Sequence, residues 1–230
     1  MAAPSRFTSG VTNSAKDADT GMMGQLDPTS YHTFFNDFNV YTAGDWTETA
    51  TSVGTGTSAA AIADADGGIM RITTAANEND GLFIESQGES FLIEEGKKTW
   101  IKARFSVGDA AESDLIIGLH STDTTPLDAT MRFAFISEDG SAALFFNVDD
   151  NTTDADSGTV ATLVDDTFVT VGAYYDGAGN VSLFLNGAKI TTMTSVGVPG
   201  AEMAIGIGYL NGAAGAETSD FDYILVAKER

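Results

Sequence analysis

The run Phe168-Val-Thr-Val-Gly-Ala-Tyr-Tyr-Asp-Gly-Ala-Gly-Asn-Val-Ser-Leu-Phe-Leu-Asn-Gly187 leaves this chain few ways to fold. Two segments rich in β-branched and aromatic residues flank Asp176-Gly-Ala-Gly-Asn180, and the second stops at Asn186-Gly187. Strand formers on both sides of residues that tolerate positive φ predict a β-hairpin followed by another tight turn. Asp176 and Asn186 are therefore expected to shape turns rather than to carry chemistry.

The same alternation of short strand-like runs and turn residues continues from Tyr31 to the end. Strands are expected over 32–41, 68–74, 81–86, 99–107, 114–120, 131–137, 142–147, 168–175, 181–185, 203–209 and 219–227. Asp66-Gly-Gly68, Glu138-Asp-Gly140 and Asp176-Gly177 punctuate them, with Pro126 and Pro199 in loops. No amphipathic helix is convincing; short helical turns are expected only near 59–63 and 213–216. Many short strands at near-regular spacing predict an all-β sandwich, and 230 residues suffice for one large domain with a sizeable core.

Residues 1–30 read differently. They are polar and rich in Gly, Ser and Thr, with Phe7, Val11, Met22, Met23 and Leu26 scattered at no sustained period. Such a stretch does not bury enough surface to fold alone, so an extended arm is expected to lie on a partner. Arg6, Phe7, Val11, Met22 and Met23 are its candidate contacts. The expected organisation is thus an arm, 1–30, and a β domain, 31–230.

Charge and composition exclude several functions. A formal net charge of −22 opposes nucleic acid and anionic lipid alike. No apolar run is long enough to span a membrane, and no signal peptide is visible after Met1. The absence of cysteine removes disulfides, thiolate catalysis and Cys-based zinc sites.

Strand 99–107 shows the clearest alternation. Ile101, Ala103, Phe105 and Val107 share one face; Trp100, Lys102 and Arg104 share the other, with Lys98 in line. Either these cations pair with carboxylates on neighbouring strands, or Lys98, Trp100, Lys102 and Arg104 form a contact stripe with Trp100 stacking on a ligand or partner. Phe34, Phe35, Phe38, Phe145, Phe146, Tyr174, Tyr175, Phe184 and Tyr223 are read as packing residues of a two-sheet body.

These elements carry a resemblance. Gly68-Ile-Met-Arg-Ile-Thr73, Thr99-Trp-Ile-Lys-Ala-Arg-Phe105, Leu115-Ile-Ile-Gly-Leu119, Met131-Arg-Phe-Ala-Phe135, the hairpin 169–187 and Asp220-Phe-Asp-Tyr-Ile-Leu-Val226 are similar to the concanavalin A-like lectin/glucanase sandwich in its laminin-G-like form. The resemblance spans about residues 31–230. It implies a jelly roll of two antiparallel sheets, one of them concave and available for binding. Met1-Ala-Ala-Pro-Ser-Arg-Phe-Thr-Ser-Gly-Val-Thr-Asn13 and Asp27-Pro-Thr-Ser-Tyr-His-Thr-Phe-Phe-Asn-Asp-Phe38 further resemble structural proteins of marine tailed bacteriophages, in which a short arm precedes a displayed jelly roll.

The sandwich resemblance makes a glycosidase signature worth seeking. Such enzymes carry Glu-x-Asp-x-(x)-Glu on one strand, and retaining chemistry needs two carboxyls about 5–5.5 Å apart. Glu78-Asn-Asp-Gly-Leu-Phe-Ile-Glu85 comes nearest, but Leu82 and Phe83 stand where the second glutamate belongs. His32 and His120 have no nucleophile motif beside them, and Gly54-Thr-Gly56 and Gly206-Ile-Gly208 lack the remaining glycines of a dinucleotide fingerprint. Calcium is the one metal with a candidate, the oxygen-rich segment Asp149–Gly158 with Asp149, Asp150, Asp154 and Asp156, although EF-hand spacing is missing.

The expectation is a non-enzymatic virion structural protein: a capsid decoration or head-fibre-like subunit, assembled in the host cytoplasm and resident on the capsid surface. Its arm would bind the major capsid protein or another virion subunit, in a homo-oligomer expected to be a trimer. A carbohydrate-binding module for a host surface glycan is the alternative, and an inactive glucanase remnant the third.

Overall fold

The computed structural model describes residues 29–51, 59–63 and 65–230. Among these, fifteen strands build two sheets. They are β1 (Tyr31–Asn36), β2 (Trp46–Thr51), β3 (Ala59–Ala63), β4 (Ile69–Thr73), β5 (Gly81–Ser86), β6 (Thr99–Val107), β7 (Ser113–His120) and β8 (Met131–Ser137). The remainder are β9 (Ala143–Asp150), β10 (Asp154–Thr162), β11 (Val169–Tyr175), β12 (Asn180–Leu185), β13 (Ala188–Thr194), β14 (Ala204–Asn211) and β15 (Thr218–Glu229). One sheet runs β13-β12-β11-β6-β15-β4-β3, with β1 also paired to β15; the other runs β10-β9-β8-β7-β14-β5-β2. Single 3₁₀ turns lie at Ala43–Asp45 and Pro126–Asp128.

The hairpin folds as its residues dictate. Asp176 Oδ1 accepts the backbone N–H of Ala178 (2.7 Å) and of Asn180 (3.1 Å), closing the β11–β12 connection. Asn186 and Gly187 both take positive φ, 51° and 82°, so β12 turns into β13 in two residues with Leu185 opposite Ala188. Asn186 Oδ1 also accepts the Thr170 N–H at 3.1 Å, tying the turn to β11.

Period-two burial then places the core between the sheets. Ile101, Ala103, Phe105 and Val107 of β6 point inward with Val171, Ala173 and Tyr175 of β11. Leu115, Ile117, Leu119, Phe133 and Phe135 meet them from the other sheet. Phe146 stands edge-on to both Phe133 and Phe135 with ring centroids 4.8 Å apart, the arrangement aromatic quadrupoles favour.

Four strands are not announced by the sequence pattern: β2, β3, β10 and β13. All four are the outermost strands of their sheets. The expected helical turn at 59–63 is instead β3, because Ala60 and Ile62 pair opposite Ile72 and Met70; ladder pairing overrides alanine's helix propensity. The second half of the expected oxygen-rich loop is β10, bulged between Asp156 and Thr159 and again before Ala161, and Asp149 and Asp150 end β9. The expected turn near 213–216 is a bend without helical hydrogen bonding. The first strand ends at Asn36 rather than continuing to 41, since Phe38 adopts a φ of 52° and its N–H bonds to Asn36 Oδ1.

Candidate functional site

A second, smaller apolar cluster lies on the outward face of the seven-stranded sheet: Phe83, Ile116, Ala134, Ile136 and Leu210. Along each strand these alternate with inward core residues such as Leu82, Leu115, Phe133 and Tyr209. Phe83, Ile136 and Leu210 floor a recess of about 410 Å³, with the half-buried Leu127 and Phe145 beside them. Two glycines make this floor possible. A Cβ on Gly208 would come within 2.1 Å of the Phe83 ring, and one on Gly206 within 1.7 Å of His120 Nε2.

The polar rim is built by β8, β9 and β10. Asn147, 2 % exposed, stands opposite Ala134 on one side and Asp156 on the other. Its Nδ2 donates to Asp156 Oδ1 at 2.8 Å and to Asp154 Oδ1, while its buried Oδ1 has no hydrogen-bond partner. Arg132 donates from Nη1 to the Leu127 carbonyl, and its Nη2 lies 3.4 Å from Asp149 and 3.5 Å from Asp154. Its Nε–H is buried and unpartnered.

The remaining rim is acidic. Asp114 Oδ1 accepts the Asp139 N–H at 2.9 Å. Burial, followed by the charges of Asp139 and Glu138, pushes the Asp114 carboxyl above its ordinary range, outweighing the lowering pull of that hydrogen bond. Among the described residues, Asp114, Asp128, Glu138, Asp139, Asp154 and Asp156 line the recess with Arg132 as the one cation.

One wall, residues 121–130, is held by carboxylates of the β5 side. Glu85 Oε1 accepts the Asp123 N–H at 3.1 Å, and Glu89 Oε1 accepts the N–H (2.7 Å) and hydroxyl (2.8 Å) of Thr122. His120 is fully buried; its Nδ1 donates to the Ser121 carbonyl at 3.0 Å and lies 3.4 Å from Glu85 Oε1. Burial lowers the His120 pKa and raises that of Glu85, so the pair favours its neutral forms.

The residues singled out by sequence fall elsewhere. Arg6, Phe7, Val11, Met22 and Met23 lie outside the described residues. Trp100 is 3 % exposed, enclosed by Tyr31, Tyr174, Leu225 and Ala227, which corrects the expectation of a stacking platform. Lys98 pairs with Glu229 at 3.5 Å; Arg104 pairs with Asp222 and covers the Phe168 ring at 4.2 Å. Those two cations thus engage carboxylates of β15, while Lys102 sits between them on β6. Phe35 is 61 % exposed on the outer face beside Tyr223, not a packed residue.

The four candidate calcium ligands do not converge. Asp149 and Asp154 flank the Arg132 guanidinium, whereas Asp150 accepts from Thr152 and Thr153 in its own turn. Among the described residues no three Asp, Glu or His side chains gather as a metal site. Asp80 precedes β5 and caps its turn by accepting from Asn77, and Glu78 is exposed. Sequence reasoning missed Arg132, Asn147 and Asp114. The signal was present in β9, where Asn147 interrupts the apolar run Ala142-Ala-Leu-Phe-Phe-Asn-Val148.

No family profile and no curated protein matches the chain. Solved structures do. A protein of unknown function from Shewanella oneidensis MR-1 superposes with a TM-score of 0.61 at 16% identity, covering 90% of this chain and 95% of that one. The carbohydrate recognition domain of Emp47p gives 0.57 at 11% identity over 88% and 98%. A prokaryotic β-1,3-1,4-glucanase (lichenase) derived from a mouse hindgut metagenome gives 0.58 at 10% identity over 84% and 98%. At these identities the likeness is one of fold: the chain is a concanavalin A-like jelly-roll sandwich. The comparisons give no support to the bacteriophage resemblance.

Proposed function

We propose that this chain is a carbohydrate-binding module that takes a glycan in the recess on the outer face of the seven-stranded sheet. The observation that carries this reading is the buried, unpaired Oδ1 of Asn147 at the edge of an apolar floor. A sugar ring offers an apolar face and a fringe of hydroxyls, and the recess answers each. Phe83, Ile136, Leu210 and the half-buried Phe145 meet the ring; Asn147 Oδ1, Arg132 Nε–H and the rim carboxylates meet its hydroxyls. Two proteins of the same fold are a carbohydrate recognition domain and a glucanase by name, which supports the choice of ligand class.

Binding without turnover is part of the proposal. The signature segment Glu78–Glu85 carries Leu82 and Phe83 where its second glutamate is expected, and on the outward side of β7 Asp114 is followed by Ile116, Gly118 and the buried His120 rather than by a second carboxylate. Calorimetric titration with a panel of neutral, amino and acidic oligosaccharides tests the reading: saturable binding of at least one is expected, abolished by Asn147→Ala and weakened by Phe145→Ala, with no reducing sugar released from β-glucans. Absence of binding to any glycan would refute it.

A second reading concerns where such a module acts. The polar composition of residues 1–30, ahead of β1, favours attachment to a larger assembly, and a virion surface with the major capsid protein as anchor is the setting we propose. Deleting residues 1–30 is expected to abolish incorporation into particles while the sandwich stays folded; unchanged incorporation would end the proposal.

A further inference from the structure

Hydrogen-bond acceptors outnumber donors around the recess. Its six carboxylates are acceptor-only when ionised, and the two donors of the Asn147 amide are already turned toward Asp154 and Asp156. Asn147 adds a second kind of acceptor to the lining, a buried carbonyl oxygen with nothing donating to it. On the donor side stand the Arg132 Nε–H, the Asn79 amide and the Thr51 hydroxyl, while the Thr125 hydroxyl donates to Asp123 Oδ1 at 3.2 Å. The Arg132 charge is itself offset by Asp149 and Asp154.

We infer that the glycan this recess takes is an amino sugar polymer bearing protonated amines, a glucosamine-type oligomer rather than a neutral or uronate one. The inference rests on the carbohydrate reading above and narrows it.

An ammonium group has three donors and no acceptor, so it complements a rim of carboxylates and the Asn147 carbonyl as no hydroxyl or carboxylate does. The sugar ring that carries it still needs the Phe83, Ile136 and Leu210 floor, which separates a glycan from a simple polyamine. Uronates and sulfated sugars bring acceptors and negative charge to a wall of both, and are repelled. Because the carboxylates converge on one recess, the attraction is local and shortens in range as salt rises.

Titration of the full chain with a glucosamine tetramer, cellotetraose, a uronate tetramer and spermidine, each at low and high salt, tests this. The glucosamine tetramer is expected to bind on the order of tenfold more tightly than cellotetraose at low salt, with the gap narrowing at high salt and no binding of the uronate. Asp154→Asn with Asp156→Asn should narrow the same gap. Asp66→Asn with Glu202→Gln, an equal loss of charge at exposed positions away from the recess, should leave it intact. Cellotetraose binding as tightly as the amino sugar, or the uronate binding, would overturn the inference and leave the carbohydrate reading standing. Spermidine binding as tightly, or equal effects of the two double variants, would overturn it as unspecific attraction to an acidic chain. Failure of every oligosaccharide would overturn the carbohydrate reading itself.

Discussion

Asn147 Nδ2 donates to Asp156 Oδ1 across the β9–β10 pair at 2.8 Å, and this bond decides which way the amide faces. With its nitrogen turned toward the carboxylates, the side chain of this recess-lining residue keeps its oxygen buried and unpartnered.

Asn147→Ala should therefore destabilise the sandwich by about 1–2 kcal/mol, since a buried donor to two carboxylates is lost. Asn147→Asp should cost more, because it sets a third carboxylate against Asp154 and Asp156. Denaturant titration at neutral pH checks the order. A smaller loss for Asp than for Ala contradicts the assigned amide orientation.

Gly206 and Gly208 make a steric prediction. A methyl at Gly206 meets His120 Nε2, and one at Gly208 meets the Phe83 ring. Each Ala variant should lose about 1–3 kcal/mol through overpacking. Gly208→Ala should also lower glycan affinity, because the displaced Phe83 ring is part of the floor, whereas pairing it with Phe83→Leu should recover stability. Both are read from chemical denaturation and titration.

His120 supplies a pH dependence whose sign follows from its burial. Its pKa in the folded protein lies below the ordinary 6.5, so below that pH the unfolded chain binds the proton more readily. Stability is fully present above 6.5 and falls as pH drops toward the folded value, with a slope of up to about 1.4 kcal/mol per pH unit. The raised carboxyls of Glu85 and Asp114 act in the opposite sense, so the His120 contribution is read as the difference between wild type and His120→Gln. That difference should shrink as pH is lowered through 6.5; a constant difference shows that His120 titrates normally.

Trp100 should behave as a structural residue. Its ring, 5.3 Å from Tyr174 and 5.9 Å from Tyr31, is shut from solvent, so Trp100→Ala should cost about 3–5 kcal/mol while Lys102→Ala on the same strand costs little. Neither should alter glycan affinity in the fraction that stays folded. Thermal unfolding and titration of both variants check this.

The contrast between the two faces of the molecule shows what a sequence of this kind makes legible. Interior strands such as β6 and β7 bury one or both faces, so Ile101, Ala103, Phe105 and Leu115 write their period into the chain. β2, β3, β10 and β13 each pair on one side only, and their residues, Ala59–Ala63 and Asp154–Thr162 among them, need satisfy no strict alternation. The recess was illegible for a related reason. Its rim joins Arg132, Asn147 and Asp156 by cross-strand register, and that register depends on β10, an acidic stretch that reads as a loop. Trp100 erred in the other direction: a tryptophan in line with three cations looks exposed until Tyr31 and Tyr174 are seen to cover it.

A glycan seated in the recess of the seven-stranded sheet would alter the surroundings of the residues that line it and of no others. Amide chemical-shift mapping during titration with a glucosamine tetramer tests it most directly. Perturbations are expected at the floor residues Phe83 and Leu210 and along β8, β9, β10 and the 121–130 wall, centred on Arg132, Phe145 and Asn147, with β6, β11 and β15 silent. Perturbations centred on the eight-stranded sheet around Lys98, Lys102 and Arg104, or none at saturating ligand, would contradict it.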